Sequence, residues 1–126
     1  MFGYGGKLPS ADEWMTAMSQ GGKHVYPWGN SYEKSYAATA EKQFLTPQPS
    51  RSHPKDKTSD GIYDMGGNVS EWTRSINTLS EHYVAIVKGG NYSLPGEDAT
   101  RVDFVNKVPL SLRSPHIGLR IVFDQN

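Results

Sequence analysis

Apolar residues recur with helical spacing at one place near the start of the chain. From Trp14 onward they follow the i, i+3, i+4 pattern that puts side chains on one face of a helix. Ser10 and Glu13 precede this pattern at the spacing of a capping box, in which each side chain accepts a hydrogen bond from the other residue's backbone N–H. The glycine pair at 21–22 supplies a stop. These signals predict a helix over Ser10–Gln20.

The last third of the chain has the pattern of β-strands. Tyr83–Val87 is a short apolar run rich in strand-forming residues, and Thr100–Val105 alternates between apolar and charged positions. In Ile117–Phe123 the odd-numbered residues are all apolar, so they would share one face of a strand. Because a period of two with one apolar face is typical of half-covered sheets, we expect an antiparallel sheet packed on one side.

The middle of the chain, residues 26–60, has no sustained period and is broken repeatedly by prolines. Ser35–Lys42 is predicted to form a short helical turn. Thr46–Ser59 is polar and proline-rich, which predicts an exposed loop. A loop of this length is uncommon in a compact domain unless it has a function or is held in place by contacts.

Length and charge restrict the class of protein. A chain of 126 residues and 14.0 kDa suits a single domain. Lys and Arg together number 13, as do Asp and Glu together, so the formal net charge is zero. Because nucleic-acid binding usually needs an excess of positive charge, no nucleic acid is expected as a partner. No stretch approaches the roughly 20 apolar residues of a membrane span. The first residues also lack the pattern of a signal peptide, which leaves the localisation open.

The chain contains no cysteine, so disulfides, thiolate metal sites and a cysteine nucleophile are excluded. Its histidines lack the spacing of a metal site, and we interpret them as isolated surface residues. The three tryptophans lie inside the motifs described next, and we expect them to pack in the core. The histidines are His24, His53, His82 and His116.

Five motifs follow one another along nearly the whole chain. They are Leu8–Trp14, Tyr26–Asn30, Gly61–Thr73, Lys88–Tyr92 and Ile117–Val122. In this order they resemble the formylglycine-generating enzyme, or sulfatase-modifying factor, family. The resemblance implies an α+β, C-type-lectin-like fold that is rich in loops, with a small twisted antiparallel sheet and one clear helix. It also implies that residues 1–126 form one such domain.

Two departures from the family pattern change what the resemblance implies. The enzymes of the family hold copper(I) with a pair of cysteines, and no residue here replaces a thiolate pair, so neither copper nor formylglycine generation is expected. The match to the family pattern starts at Leu8–Trp14, so we expect this domain to lack the family's upstream strand and helix. The closing strand, Ile117–Phe123, would then have an unpaired edge, which predicts a homo-oligomer or a hetero-complex.

The resemblance implies a calcium site at Asn68 and Glu71, where the family often binds this ion through side-chain and backbone oxygens. Oxygen ligands on an irregular loop suit calcium. The alternative is that both side chains hydrogen-bond the loop to itself without a metal ion.

The resemblance also points to the segment Asn91–Pro115 as a binding surface. In the retroelement-diversified branch of this fold, which includes phage receptor-binding proteins, the equivalent segment is variable and contacts the ligand. It mixes aromatic, charged and hydrogen-bonding side chains, as binding surfaces do. The candidate ligand-binding residues are Tyr92, Glu97, Asp98, Arg101, Asp103, Asn106, Arg113 and His116.

The resulting hypothesis is a non-catalytic ligand-binding or structural module, such as a phage virion or tail component or a surface-displayed receptor-binding protein. Its partner would be a protein or glycan on a cell surface, or a neighbouring virion subunit. The alternative is a divergent enzyme of the same superfamily, which includes iron oxygenases, with changed chemistry. That enzyme would need a pair of titratable groups or a metal cluster in a pocket, and the sequence indicates neither.

Overall fold

A computed structural model describes residues 5–123. Two helices, one short 3-10 helix and six strands are connected by long loops. In chain order they are β1 (Gly6–Lys7), α1 (Ala11–Ser19), the 3-10 helix (Ala40–Lys42), β2 (Ser70–Leu79), β3 (His82–Lys88), α2 (Gly96–Ala99), β4 (Val105–Pro109), β5 (Ile117–Gly118) and β6 (Val122–Phe123). This loop-rich α+β architecture with one long helix agrees with the predicted fold class.

Helix α1 confirms the prediction from the capping box. Ser10 Oγ accepts from Glu13 N at 3.0 Å, and Glu13 Oε1 accepts from Ser10 N at 2.8 Å. The helix ends at Gln20, which itself takes the left-handed conformation with φ 56°, so the following glycines are not its C-cap. Arg74 Nη1 donates to Leu8 O and to Glu13 Oε1, which ties the start of the helix to β2.

The main sheet has four strands in the order β4-β3-β2-β5. Strands β2 and β3 form a hairpin, and β4 pairs antiparallel with β3. The expected antiparallel sheet is present in β2, β3 and β4, but β5 departs from it, because it runs parallel to β2 with Ser70 opposite Ile117. The long strand β2 was not predicted, since polar residues such as Ser70 and Thr73 occupy its buried positions.

The predicted strand over Thr100–Val105 is wrong. Helix α2 ends at Thr100, whose Oγ1 donates to Gly96 O at 2.5 Å, and the chain turns before β4 begins at Val105. The alternation seen in the sequence therefore belongs to a turn, whose carbonyl groups at Val102 and Phe104 point to a buried lysine.

The closing segment Ile117–Phe123 is two short strands, not the single strand predicted from its period of two. Arg120 turns inward between them to reach Glu71. Three of the four apolar residues are consequently exposed: Leu119 at 64%, Ile121 at 44% and Phe123 at 61%. The expected unpaired edge is also wrong within the described residues, because β6 pairs with β1, with Gly6 opposite Phe123.

The core is small and centred on helix α1. Trp14, Met18 and Met65 form its fully buried cluster, which confirms the core assignment for Trp14. Trp28 and Trp72 are half-buried. None of the helices in residues 5–123 has the length and apolar character that a membrane crossing requires.

Candidate ligand-binding site

Glu71 belongs to the motif Gly61–Thr73 and is buried, with 3% of its surface exposed. Its Oε1 accepts from Arg120 Nε and from Trp14 Nε1, both at 2.9 Å, and its Oε2 accepts from Arg120 Nη2 at 3.0 Å. Arg120 Nη2 also donates to Tyr63 O at 2.7 Å. The bidentate pair of Glu71 and Arg120 joins strand β2 to the closing segment, and the contact with Trp14 adds helix α1. These hydrogen bonds therefore hold the three elements together.

Asn68 performs a similar task for the long loop. Its Oδ1 accepts from Gln48 N at 2.7 Å, and its Nδ2 donates to Gln48 O at 3.0 Å. Its backbone has φ 75°, in the left-handed region that asparagine tolerates better than most residues. Both ends of the amide are therefore used to hold the loop.

Asn68 and Glu71 border the same polar cavity of about 500 Å³. Within residues 5–123, no group of three or more His, Asp or Glu side chains comes together as a possible metal site. Both residues have protein partners, at Gln48 for Asn68 and at Trp14 and Arg120 for Glu71, so these side chains bond the loop to other segments and not to itself. Calcium at Asn68 and Glu71 stays a prediction.

Tyr92 and His116 are brought together, although 24 positions separate them in the sequence. Their rings stack with centroids 4.7 Å apart and planes 19° apart. Tyr92 is buried, and its N–H donates to Asn68 O at 2.9 Å. Tyr92 therefore packs beneath the surface, and half-buried His116 is the more accessible ring of the stack.

Arg101 and Asp103 form an ion pair on the surface, with Arg101 Nε 2.9 Å from Asp103 Oδ1. The guanidinium, through its hydrogen bonds, lowers the pKa of Asp103. Beneath them, Lys88 is 1% exposed, and its Nζ donates to Val102 O at 2.7 Å and to Phe104 O at 2.6 Å. Burial lowers the pKa of Lys88 to about 8.

Lys88 is a residue whose role was missed from the sequence. A signal was present, because a lysine that directly follows the apolar run Tyr83–Val87 continues a buried strand and needs acceptors.

The other candidates are exposed at separate places. Glu97 and Asp98 lie on the outer side of α2, Asn106 lies on β4 opposite Val87, and Arg113 lies in the loop after β4. None of the eight ligand-binding candidates lines the polar cavity beside Glu71. The structure therefore brings together two pairs of the eight, Tyr92 with His116 and Arg101 with Asp103, and leaves the other four at separate exposed positions.

Residues 3–125 match the family model described as the sulfatase-modifying factor enzyme 1-like domain. The chain belongs to this family. The match spans all five motifs, and the fold described above agrees with it.

The curated relatives of this chain include one that is named inactive and one that is named an oxygenase. The chain is 30% identical over 99 residues to the inactive C-alpha-formylglycine-generating enzyme 2 of Bos taurus, covering 70% of this chain and 33% of the relative. It is also 30% identical over 100 residues to hercynine oxygenase of Mycobacterium tuberculosis, covering 70% of this chain and 24% of that enzyme. The chain therefore spans a third or less of these two relatives.

Solved structures agree on the fold. CarF superimposes with a TM-score of 0.79 at 25% identity, over 98% of this chain and 48% of CarF. Treponema denticola variable protein 1 gives a TM-score of 0.75 at 20% identity, over 92% of this chain and 46% of that protein. At this identity the second match establishes the fold alone.

Proposed function

We propose that this chain is a non-catalytic ligand-binding module that presents the polar side chains of Asn91–Pro115 on a rigid support. The observation that carries the proposal is the contact of Lys88 Nζ with Val102 O and Phe104 O. This contact fixes the backbone on both sides of Asp103, while the carboxylate itself is exposed. A fixed backbone with exposed charged side chains suits binding, because little order is lost when a ligand docks.

The absence of cysteine and the relatives named inactive support the non-catalytic part of the proposal. We propose a protein or glycan on a cell surface, or a neighbouring virion subunit, as the ligand. A phage virion or tail component and a surface-displayed receptor-binding protein would both use the module in this way.

The second candidate is a divergent enzyme, and the similarity to hercynine oxygenase favours it. Its reacting groups would have to come from residues such as Asp64, His82, Asp103 and His116. His82 lies at the hairpin end of β3 and Asp64 borders the polar cavity, whereas Asp103 pairs with Arg101. This placement supports binding rather than joint chemistry.

Binding of the labelled protein to immobilised glycans and to intact bacterial cells tests the proposal. The double variant Arg101→Ala/Asp103→Ala removes an exposed ion pair, which contributes little to folding. We expect its bound signal to fall about tenfold, the effect of losing about 1.4 kcal/mol of binding free energy. Thr78→Ala, on the exposed end of β2, should bind as the parent does. Equal binding by the parent and the double variant, or no binding by the parent, would contradict the proposal.

A further inference from the structure

A buried carboxylate of the loop Thr46–Ser59 itself, that of Asp56, helps to hold the loop in place, together with the contacts of Asn68 to Gln48. Asp56 is fully buried, and its oxygens accept from Gly66 N at 3.0 and 3.2 Å and from Gly67 N at 3.0 Å. Because Asp56 is turned into the molecule, its neighbours Lys55 and Lys57 remain exposed on the outside. The loop therefore exposes Lys55 and Lys57 to solvent, while the carboxylate of Asp56 between them is buried.

Two adjoining cavities, of about 320 and 330 Å³, lie along this loop and share Tyr36, Pro54 and Lys55 as a common wall. We call them the basic groove. Each cavity has the volume of a small-ligand site. Of the described residues, no aspartate, glutamate or arginine lines either one. Its cationic and titratable lining residues are Lys42, Lys55, Lys57, His24 and His53.

The three lysines of the basic groove have no carboxylate partner in residues 5–123. Lys42 Nζ donates to Ser35 O at 2.8 Å, and Lys55 Nζ lies 5.2 Å from the centre of the Tyr36 ring. Lys57 Nζ lies 5.8 Å from the centre of the Tyr63 ring. Aromatic faces hold these ammonium groups without neutralising them. The groove thus keeps its positive charge for a ligand.

Fixed aromatic rings accompany this charge. Trp28 stacks on Tyr26 with centroids 5.6 Å apart and planes 4° apart, and its Nε1 donates to Ser31 O at 2.8 Å. Tyr36 packs edge-on against Trp28 with centroids 5.3 Å apart. Rings held in this way offer an apolar surface that costs little conformational entropy when a ligand packs on it.

We propose that the basic groove binds an anionic saccharide, with its sugar rings against Trp28 and Tyr36 and its carboxylate or sulfate groups near Lys55 and Lys57. Side-by-side cavities suit linked rings, and charge-assisted contacts to ammonium groups suit both kinds of acid group. A nucleic acid fits less well, because the groove lacks the arginines that bind phosphate bidentately and the chain has no net positive charge. This site is separate from the segment Asn91–Pro115.

The histidine ring signals in the NMR spectrum of the full chain provide a direct test. His24 and His53 line the groove, whereas His82 lies on β3 and His116 stacks on Tyr92. The probes are a heparin-derived hexasaccharide, an oligogalacturonate, an uncharged oligosaccharide of equal length and a single-stranded DNA hexamer. We expect the sulfated or the carboxylated saccharide to shift the signals of His24 and His53 while those of His82 and His116 stay in place.

Burial, and then the charge of Lys42, lower the pKa of His53, and Asp64 acts in the opposite direction. An anion in the groove should therefore raise the pKa of His53. A pH titration of the same ring signals, with and without the saccharide, measures this change. The responding acid probe identifies which acid group the groove takes.

Paired variants complete the test. Lys55→Gln/Lys57→Gln should weaken saccharide binding about tenfold, as expected for the loss of two charge-assisted contacts. Lys34→Gln, which removes an exposed lysine that lines neither cavity and lies outside Asn91–Pro115, should bind as the parent does. Several results would overturn the proposal: stronger binding of the DNA hexamer or the uncharged sugar, shifts at His82 or His116 instead, equal binding by both variants, or no binding of either acidic saccharide. Because Arg101 and Asp103 are untouched, failure here is distinct from failure of the proposed function.

Discussion

Three buried charged groups hold the loops of this protein, and each is satisfied in a different way. Glu71 pairs bidentately with Arg120, Asp56 accepts from two glycine N–H groups, and Lys88 donates to two backbone carbonyls. A buried charge that loses such partners costs more than an ordinary hydrogen bond. These residues therefore explain how a domain with few regular elements keeps a defined shape.

Replacing Asn68 tests the support of the long loop. Asn68→Ala leaves Gln48 N and Gln48 O without their partner, so we expect the free energy of unfolding to fall by about 1–3 kcal/mol. Denaturant titration measures the change, with Asn77→Ala on the exposed part of β2 as the control. Equal stability of Asn68→Ala and the parent would contradict this role.

The calcium prediction is checked by melting the same proteins with and without a chelator. If the ion is bound at Asn68 and Glu71, chelator lowers the melting temperature of the parent and leaves Asn68→Ala nearly unchanged. A parent melting temperature that does not respond to chelator would remove calcium from the account.

The burial of Asp56 should make the free energy of unfolding depend on pH. Burial raises the pKa of Asp56 to about 7, although the Gly66 and Gly67 N–H groups act in the opposite direction. In the unfolded chain the carboxyl has its ordinary, lower pKa, so the folded state binds the extra proton between the two values. The resulting stabilisation is complete below the unfolded pKa and is lost as the pH rises through 7.

From about pH 5 to about pH 8, the free energy of unfolding of the parent should fall by about 2–3 kcal/mol more than that of Asp56→Asn. Denaturant titrations at both pH values measure this difference, and Asp60→Asn, at an exposed position, should behave like the parent. Parallel pH profiles for the parent and Asp56→Asn would show that Asp56 does not titrate in this range.

At the scale of elements, the sequence predicts structure that depends on neighbouring residues better than structure that depends on contacts between distant residues. The capping box of α1 lies within four residues and was predicted correctly. The break in Ile117–Phe123 depends on Arg120 reaching Glu71, which is 49 positions away, and no local pattern contains that contact. Strand β2 was missed because its inward residues are polar, and their partners come from other elements.

The hairpin between β2 and β3 makes a prediction of its own. Ser80 and Glu81 form its two-residue turn with φ 49° and 68°, where glycine is preferred over other residues. Glu81→Gly should therefore raise the free energy of unfolding by about 0.5–1 kcal/mol, because it relieves the left-handed strain. Glu33→Gly, at an exposed position without positive φ, should not stabilise. A less stable Glu81→Gly protein would mean that the turn differs from the one described.

At the scale of the whole molecule, the motifs predicted the family and the fold, but not the details of the site. Of the eight candidates in the segment Asn91–Pro115 and its flanks, Tyr92 is buried and the other seven are half-buried or exposed, and their role in binding stays a prediction. The basic groove was not foreseen, because the orientation of Asp56, which exposes the lysines beside it, depends on glycines ten and eleven positions away.

A homo-oligomer or hetero-complex stays a prediction, but it now rests on exposed apolar side chains and not on an unpaired strand edge. The edge of the closing segment is paired within the chain, but Leu119, Ile121 and Phe123 leave apolar surface exposed. We expect light scattering at micromolar concentration to report a homo-oligomer, or binding to a partner protein, that Ile121→Lys weakens. A soluble monomer whose apolar side chains bind nothing would contradict this expectation.

We propose that this family domain binds a ligand and catalyses no reaction of the kinds that its relatives' names indicate. Oxygen uptake tests it most directly, because formylglycine generation and hercynine oxygenation both consume oxygen. The protein is supplied in turn with copper(I) and a cysteine peptide of the sulfatase type, and with iron(II) and hercynine. The account predicts uptake equal to that of metal and substrate alone. Uptake that requires both the protein and a substrate would contradict it.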